Sequence, residues 1–271
     1  MDGVDGVDAS GRTGGTERLD QALVARGLAA SRTLAQRLVK SGEVEVDGRV
    51  ETRPARLVRA SQALRVRTSP RYVSRGGEKL AAALAEFGVD PSGLSVLDAG
   101  SSTGGFTDCL LQHGAREVHA LDVGRGQLAA SLRADPRVVS LEGVDLRDWT
   151  VELRFSLVVA DMSFIPLRLV LPALERLGAD DARWIVLVKP QFEVGQARLP
   201  KDGVVKEPRD HLHALRGALD AVAESGLACR ALLASPIAGG EGNREFLALL
   251  ERGANHAALD LERLVRRRRE A

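Results

Sequence analysis

The chain has 271 residues, 44% of them hydrophobic, and a formal net charge of +1, which fits a globular protein with one large and one small domain. No apolar run approaches the roughly 20 residues that cross a bilayer, and Cys109 and Cys229 have no partner spacing for a metal or a disulfide framework, so we expect a cytoplasmic protein rather than an exported or membrane protein. The positive charge is concentrated in residues 17–75, which contain thirteen Lys or Arg and six Asp or Glu, a net charge of +7. Such a segment is typical of a surface that contacts nucleic-acid phosphates.

The chain begins with a predicted leader that is followed by two short helices. Residues 1–16 are rich in Gly and Asp and have too little apolar content to order themselves, which predicts disorder. Apolar residues then recur at helical spacing over residues 18–26 and 31–40. Ser31 is the expected N-cap of the second helix, and Gly42 is expected to end it.

Alternating residues predict a small sheet after these helices. Val44 and Val46 alternate with charged residues up to Asp47-Gly48, a strong signal for a tight hairpin turn, and the alternation resumes at 64–68. Residues 17–68 therefore predict a small α+β domain, which resembles the S4-type RNA-binding domain first seen in a protein of the small ribosomal subunit. The residues that carry this resemblance are Arg18-Leu19-Asp20, Ser31-Arg32, Ala35, Leu38-Val39, Gly42, Val44, Val46 and Asp47-Gly48.

The resemblance implies an RNA-binding surface on this domain. In S4-type domains the basic face of the second helix and the following turn contact folded RNA. The candidate RNA-binding residues are Arg18, Arg32, Arg37 and Lys40. They would contact phosphate and shape rather than a base sequence. The alternative for each of them is a solvated helix face.

A second, larger domain is predicted from residue 76 to residue 271. Residues 69–75 predict a short linker, because Pro70 interrupts pairing and polar residues dominate. A helix is expected around 78–87, and strand-length apolar runs then alternate with helical patterns. The strand runs are 96–99, 118–123, 138–141, 157–160, 185–188 and 246–250. Strands that are apolar throughout are buried on both faces, so the predicted fold class is α/β, a doubly wound and mostly parallel sheet.

A Gly-rich turn follows the first of these strands and opens a helix at Phe106. Glycines let the backbone approach a ligand closely, and such sheets bind ligands at the carboxyl ends of their strands, so a nucleotide-like ligand is indicated. The turn is not a dinucleotide fingerprint, because Ser102 stands at its second glycine, and no Gly-Lys-Ser/Thr of a phosphate loop follows. The arrangement that remains holds the methionine part of S-adenosylmethionine, with Asp122 accepting the ribose hydroxyls and Asp145 as a candidate on the adenine side. The alternative is a tight connection without a ligand.

The candidate cofactor-binding residues are Asp98, Gly100, Ser101, Thr103, Gly104, Gly105, Phe106, Asp122 and Asp145.

Charged residues stand where three apolar strands end or begin. They are Asp161, Lys189 and Glu245, and Lys79 arrives from the helix before the first strand. If the strands are neighbours, these four side chains converge beside the Gly-rich turn. Such a set suits a hydroxyl acceptor, because a ribose hydroxyl is a poor nucleophile until its proton is accepted or strongly polarised. Lys189 is the candidate base. The alternative role for one of the lysines is to stay charged and position the hydroxyl. Each of these residues, taken singly, is also explained as a solvated cap at a sheet edge.

Five motifs of the second domain resemble the TlyA family. They are SRGGEKL at 74–80, LDAGSSTGGFT at 97–107, ADMSFI at 160–165, LVKPQFEVG at 187–195 and GNRE at 242–245. The catalytic domain of that family is similar to FtsJ-type ribose methyltransferases, with a class I (Rossmann-like) fold and a seven-stranded, mostly parallel sheet. Its Lys-Asp-Lys-Glu tetrad maps onto Lys79, Asp161, Lys189 and Glu245. The resemblance implies methyl transfer from S-adenosylmethionine to a cytidine 2'-hydroxyl in 23S ribosomal RNA, and in 16S as well for members with extended ends, without a metal.

Three rival functions are open at this point. The family is often called haemolysin, but a membrane-lytic protein needs amphipathic or spanning segments that the sequence lacks. An RNA-binding assembly factor without catalysis would keep both domains but lose the tetrad. A base-directed methyltransferase usually shows Asn/Asp-Pro-Pro-aromatic after the fourth strand, whereas Asp161 is followed by Met162-Ser163-Phe164, which favours a hydroxyl acceptor.

Overall fold

The computed structural model describes residues 16–66, 71–240 and 242–266, which fall into two units, residues 1–70 and 71–271. The predicted leader, apart from Thr16, lies outside the described residues, as do 67–70 of the predicted sheet and linker. The same holds for the arginines at 267–269.

The two predicted helices of the N-terminal unit are present. Helix α1 spans Leu19–Ala25 and helix α2 spans Arg32–Lys40. Ser31 Oγ accepts a hydrogen bond from Leu34 N at 3.2 Å, so Ser31 is the N-cap, as predicted. The chain leaves α2 through Gly42, whose φ of +74° lies in the left-handed region, and this confirms the predicted helix end.

Two small antiparallel sheets complete the N-terminal unit. Their strands are β1 (Thr16–Arg18), β2 (Val44–Val46), β3 (Arg49–Val50), β4 (Leu57–Arg59) and β5 (Leu64–Val66). The predicted hairpin joins β2 to β3 through Asp47-Gly48, whose φ angles of +52° and +76° are those of a tight two-residue turn. Strand β2 also pairs with β5, and β1 pairs with β4 in a ladder that the sequence did not predict. Leu19, Leu38, Val44 and Val58 lie in the core that the helices and strands share.

The second unit is built on a seven-stranded sheet, as the resemblance implied. Its strands are β6 (Ser95–Ala99), β7 (Glu117–Asp122), β8 (Val138–Glu142), β9 (Phe155–Ala160), β10 (Gly178–Val188), β11 (Leu227–Ala234) and β12 (Phe246–Arg252). Their order is β11-β12-β10-β9-β6-β7-β8, and the five from β10 to β8 are parallel while β12 is antiparallel to both neighbours. The predicted α/β fold with a mostly parallel sheet is confirmed, and each of the six predicted runs coincides with a strand.

Helices cover both faces of this sheet. They are α3 (Gly76–Phe87), α4 (Gly105–Gln112), α5 (Ala130–Arg133), α6 (Leu171–Leu177), α7 (Pro190–Glu193), α8 (Pro208–Glu224) and α9 (Leu261–Arg266), with a 3-10 turn at Leu167–Leu169. Leu80 and Leu110, from α3 and α4, lie in the core on one face, and Leu174, Leu215 and Val265, from α6, α8 and α9, lie in the core on the other. Burial on both faces is the reason that the central strands are apolar throughout.

The described part of the predicted linker packs onto the second unit. Tyr72 is buried in the core beneath α3 and α4. Val73 N donates a hydrogen bond to Asp108 Oδ2 at 2.7 Å. A Cβ at Gly77 would collide with the Tyr72 ring, so this glycine gives the ring its space.

Candidate active site

The Gly-rich turn has a backbone path that requires glycine. Gly100 N and Ser101 N both donate to Leu121 O, at 2.8 and 3.0 Å, which fastens the turn to the end of β7. Gly100 has a φ of +80°, and a Cβ there would lie 2.7 Å from the carbonyl oxygen of Asp161. A side chain at this position would therefore separate the turn from the end of β9.

The N-termini of α3 and α4 meet through glycines. A Cβ at Gly105 would collide with Ser74 Oγ and would lie 3.0 Å from Gly77 N and 3.2 Å from Gly76 Cα. The two Gly-Gly pairs of the sequence thus let the start of α3 approach the start of α4. This approach brings Lys79, in the first turn of α3, to the carboxyl edge of the sheet.

A cavity of about 370 Å³ opens at this edge. It is lined by Gly100, Ser102, Leu121, Asp122, Val123, Gly124, Gln127, Leu146, Asp161, Met162, Ser163 and Phe164. Of the predicted cofactor residues, Gly100 and Asp122 lie on its wall. Asp98, Ser101, Thr103, Gly104, Gly105, Phe106 and Asp145 do not.

Asp122 is held in place by backbone amides. Its Oδ2 accepts a hydrogen bond from Ser102 N at 2.8 Å, and its Oδ1 accepts one from Gly124 N at 2.7 Å. Each carboxylate oxygen keeps a second lone pair for a further donor. The end of β7 therefore presents a fixed acceptor to the cavity.

Asp98 is buried behind the turn. Thr107 Oγ1 donates to its Oδ2 at 2.6 Å, whereas its Oδ1 has no hydrogen-bond partner among the residues that the structure describes. Burial raises the pKa of Asp98 to about 7, and the nearby Asp161 acts in the same direction. The Oδ1 atom of Asp98 is therefore able to accept a hydrogen bond from a positively charged group.

Asp145 is turned toward an arginine rather than the cavity. Arg147 Nη2 contacts its Oδ2 at 2.6 Å, and the hydrogen bonds from Arg147 lower the pKa of Asp145 to about 2. The next residue, Leu146, lines the cavity together with Val123. Sequence reasoning missed both apolar residues, although each directly follows a predicted acid.

The four residues of the predicted tetrad form two ion pairs. Lys79 Nζ lies 2.5 Å from Glu245 Oε2, and both side chains are buried, with 10% and 3% exposed. Lys189 Nζ lies 2.7 Å from Asp161 Oδ1 and also donates a hydrogen bond to Ser163 Oγ at 2.6 Å. Each lysine therefore has a carboxylate as its direct neighbour.

Sheet register explains why these residues converge. Val188 pairs with Phe246, so Lys189 and Glu245 are the next positions beyond that pair on neighbouring strands. Asp161 follows β9, which lies on the other side of β10. The antiparallel β12 contributes the residue before its start, whereas the parallel strands contribute the residues after their ends.

An exposed aromatic residue stands at the cavity. Phe164 is 90% exposed and has a φ of +64°, which is uncommon for a bulky residue. Its ring centroid lies 5.4 Å from that of Phe192, and Lys189 Nζ lies 5.9 Å from the Phe192 ring. Sequence reasoning noted Phe164 only within a motif, because exposure and backbone strain leave no trace in the pattern.

The basic residues of the N-terminal unit are organised by a buried acid. Asp20 is fully buried and accepts hydrogen bonds from Arg18 (3.0 Å), Arg32 (3.1 Å) and Gln36 (2.7 Å). These donors, Arg18 first, hold the pKa of Asp20 well below its usual range. Arg18 and Arg32 are thereby fixed side by side. Of the other predicted RNA-binding residues, Lys40 is exposed and Arg37 is half-buried on the same helix.

The described residues contain neither a metal-binding cluster nor a membrane-spanning helix. Residues 16–66, 71–240 and 242–266 contain no group of three or more His, Cys, Asp or Glu side chains that could hold a metal ion. None of the helices described above is both long and apolar enough to cross a membrane.

Two known families match the chain. Residues 72–252 match the FtsJ-like methyltransferase family, and residues 17–64 match the S4 domain. The chain is 45% identical over 257 residues to the 16S/23S rRNA (cytidine-2'-O)-methyltransferase TlyA of Mycobacterium tuberculosis, which covers 92% of this chain and 96% of that protein. It is 40% identical over 176 residues to the 23S rRNA (cytidine-2'-O)-methyltransferase TlyA of Campylobacter jejuni, which covers 65% and 69%. A solved structure from Streptococcus thermophilus that carries the name hemolysin matches with a TM-score of 0.74 and 37% identity over 92% of this chain and 94% of that one.

Proposed function

Because the chain belongs to the FtsJ-like methyltransferase family and to its TlyA branch with an S4 domain, we propose that it transfers a methyl group from S-adenosylmethionine to the 2'-hydroxyl of a cytidine in ribosomal RNA. The observation that carries this proposal is the pair of lysine–carboxylate contacts, Lys79–Glu245 and Lys189–Asp161, at the edge of the sheet where the cavity opens.

The residues around the cavity fit S-adenosylmethionine. Asp122 has lone pairs for the two ribose hydroxyls, and Val123 and Leu146 offer apolar walls to the adenine. Gly100 lies on the cavity wall and is our candidate contact for the methionine part, and the buried Oδ1 of Asp98, which has no hydrogen-bond partner among the described residues, suits a positively charged amino group. When bound, S-adenosylmethionine supplies a methyl group that its positively charged sulfur activates.

Lys189 is proposed to accept the proton of the acceptor hydroxyl. The hydroxyl oxygen is a stronger nucleophile once its proton is transferred to a base. Ser163 Oγ accepts a hydrogen bond from the Lys189 amine, and Asp161 Oδ1 lies 2.7 Å from the same nitrogen as its ion-pair partner. In the neutral lysine the two N–H groups would face these oxygens, and the lone pair would be left to take the proton of the acceptor hydroxyl.

Lys79 is proposed to stay charged and to position the same hydroxyl. Glu245 is buried against it, so the pair carries its own counter-charge. A fixed ammonium beside the acceptor oxygen would stabilise the negative charge that develops there as the proton leaves. The two lysines would thus divide the work, with Lys189 moving the proton and Lys79 holding the oxygen.

The surroundings of the site favour an RNA acceptor. The exposed ring of Phe164 offers a flat apolar surface on which an unstacked base can lie. Arg18, Arg32, Arg37 and Lys40 of the S4 unit are the candidate contacts to the RNA backbone. The named relatives act on 23S or on both 16S and 23S, so we propose the large ribosomal subunit as the substrate and the small subunit as a second one, in the cytoplasm where ribosomes are found.

The test is methyl transfer from labelled S-adenosylmethionine to purified, unmodified large and small ribosomal subunits. Mass spectrometry then gives the modified nucleotide and shows whether the methyl group is on the ribose. We expect label on a cytidine 2'-oxygen of the large subunit. Cofactor binding without any label would contradict this choice of acceptor, and RNA binding without cofactor binding would favour a non-catalytic assembly factor.

A further inference from the structure

The segment 242–245, which precedes β12 and ends in Glu245, is held from several directions. Asn243 is buried, its Oδ1 accepts from Val205 N, and its Nδ2 donates to Gly203 O, both at 2.9 Å. Ser235 N donates to the carbonyl oxygen of Glu245 at 2.9 Å. The backbone that carries the proposed catalytic glutamate is therefore part of a hydrogen-bonded network.

Arg244 joins this segment to the helix α9. Its Nη1 donates to Val265 O at 2.5 Å and its Nη2 to Leu264 O at 2.6 Å. The last carbonyls of a helix have no partner within the helix, and a guanidinium placed there is favoured by the helix dipole as well. The Arg244 guanidinium also lies 5.2 Å from the centre of the Phe246 ring, which begins β12.

Helix α9 is itself anchored to the body of the unit. Val265 is buried in the core on its face of the sheet. The ion pair between Arg216, on α8, and Glu262 at 3.0 Å lies on the exposed side of α9, where such pairs add little stability. A side chain that binds the end of α9 is therefore bound to a fixed support.

We infer that Arg244 is a positioning residue through which α9 holds Glu245 in place for catalysis. Arg244 and Glu245 are adjacent in the chain, and the side chain of Arg244 contacts the end of α9 whereas that of Glu245 contacts Lys79. Fixing the guanidinium fixes the backbone between the two side chains. The C-terminal helix is thus part of the active-site support, although the structure gives it no place on the cavity wall.

The first test measures turnover and rests on the proposed methyl transfer. The variants are Arg244→Gln, a chain that ends at Asp260, and the two changes combined. Arg216→Gln is the matched control, because it removes an exposed arginine contact of α9 without touching residues 242–245. Arg244→Gln and the truncation should each lower kcat about tenfold, a size typical of a misplaced catalytic group. For Arg244→Gln, the RNA KM and the cofactor Kd should stay within about twofold. The truncation also removes Arg263 and Arg266–Arg269, so only its kcat is compared.

Combining the two changes should add nothing further, because both remove the same connection. Arg216→Gln should leave kcat unchanged. A further loss in the combined variant, or a raised RNA KM for Arg244→Gln, would overturn the inference, because Arg244 would then contact RNA directly. An unchanged kcat with a lowered Tm would also overturn it, because the contact would then serve stability alone.

The second test does not need methyl transfer. Hydrogen exchange of the amides in 245–248 should become faster in Arg244→Gln and in the truncated chain, and should stay unchanged in Arg216→Gln. Unchanged exchange in the first two variants would overturn the inference even if the wild type methylates ribosomal RNA. Faster exchange in a wild-type chain that proves inactive would support the connection and contradict only the proposed function.

Discussion

Lys79 and Glu245 are separated by 166 positions in the chain, yet they form a buried ion pair of 2.5 Å. Lys79 belongs to the helix α3, which precedes the sheet, and Glu245 directly precedes β12, the last strand of the sheet in chain order. The pair therefore connects the beginning and the end of the second unit. Because both charges are buried away from water, the stability of each charged side chain depends on the presence of the other.

We predict that this dependence is visible in the free energy of unfolding. Lys79→Met and Glu245→Met should each lower it by about 3 kcal/mol, because the remaining charge is buried without a partner. The double variant should be more stable than either single one, since no buried charge is left. Denaturant unfolding of the four proteins gives the interaction energy. Additive losses would show that the pair is not energetically coupled.

Gly239→Ala should lower turnover through Glu245. A Cβ at Gly239 would collide with Glu245 Oε1, so the carboxylate must move away from its present position beside Lys79. Gly240→Ala is the matched control, because a Cβ at Gly240 meets nothing within 4 Å. We expect a kcat about tenfold lower for the first variant and a normal kcat for the second. Equal rate constants for the two variants in single-turnover assays would contradict the assigned role of Glu245.

Lys189→Ala should abolish methyl transfer while cofactor binding persists. The proposed base is lost, whereas the cofactor candidates Gly100 and Asp122 are untouched. Lys206→Ala is a control of the same charge, since Lys206 is exposed and paired only with Asp202 among the residues described. Calorimetry gives the cofactor Kd, and label transfer to ribosomal subunits gives turnover. Residual turnover near the wild-type level would remove Lys189 from the mechanism.

The cofactor-free protein should become less stable relative to its Asp98→Asn variant as the pH rises. Burial raises the pKa of Asp98 from 3.8 to about 7, so between these values the unfolded chain has released a proton that the folded protein still holds. The stabilisation that protonated Asp98 gives the folded protein is complete below about pH 4 and is lost by about pH 7. The free energy of unfolding changes by about 4 kcal/mol over this range. The pKa of Glu193 is raised to about 7 as well, but this residue is present in both proteins and cancels. Urea midpoints across this range give the difference, and a constant difference would contradict the prediction.

Asp20→Asn should weaken RNA binding even though it makes the chain more positive. Asp20 aligns Arg18 and Arg32, and a neutral amide binds two guanidinium groups less strongly. Glu43→Gln removes the same charge near the end of α2 without affecting this cluster, and should leave the affinity equal or higher. Filter binding of a structured ribosomal RNA fragment at two salt concentrations compares the variants. Tighter binding by Asp20→Asn would show that net charge, and not arginine alignment, governs recognition.

The carboxyl edge of the sheet could be predicted from sequence because strand ends are visible there. The runs 157–160 and 185–188 stop at charged residues, and parallel strands bring such residues to one edge, which was enough to select Asp161 and Lys189. The strand β11 was missed because Arg230 interrupts its apolar run. The ladder between β1 and β4 was missed because strands of three residues are too short to show a period.

Contacts between side chains and distant backbone could not be predicted in this way. Arg244 binds carbonyl oxygens that lie 20 and 21 positions further along the chain, and nothing in the sequence marks a carbonyl as an acceptor. The motif that contains Asp20 was recognised, but its role in aligning two arginines depends on full burial. Asp145 has the position of a cofactor residue in the sequence, and its arginine partner two positions later decides where its carboxylate points.

The distance in sequence between Lys79 and Glu245 also bears on how the protein is made. A ribosome synthesises Lys79 and six of the seven strands before it reaches Glu245, and chains begin to fold from their N-terminal side during synthesis. If α3 closed onto an incomplete sheet, it would bury an ammonium that has no counter-charge, which is unfavourable. A compact form without β12 is therefore unfavourable for the nascent chain, and the proposed catalytic tetrad is completed by the same residue that supplies the counter-charge.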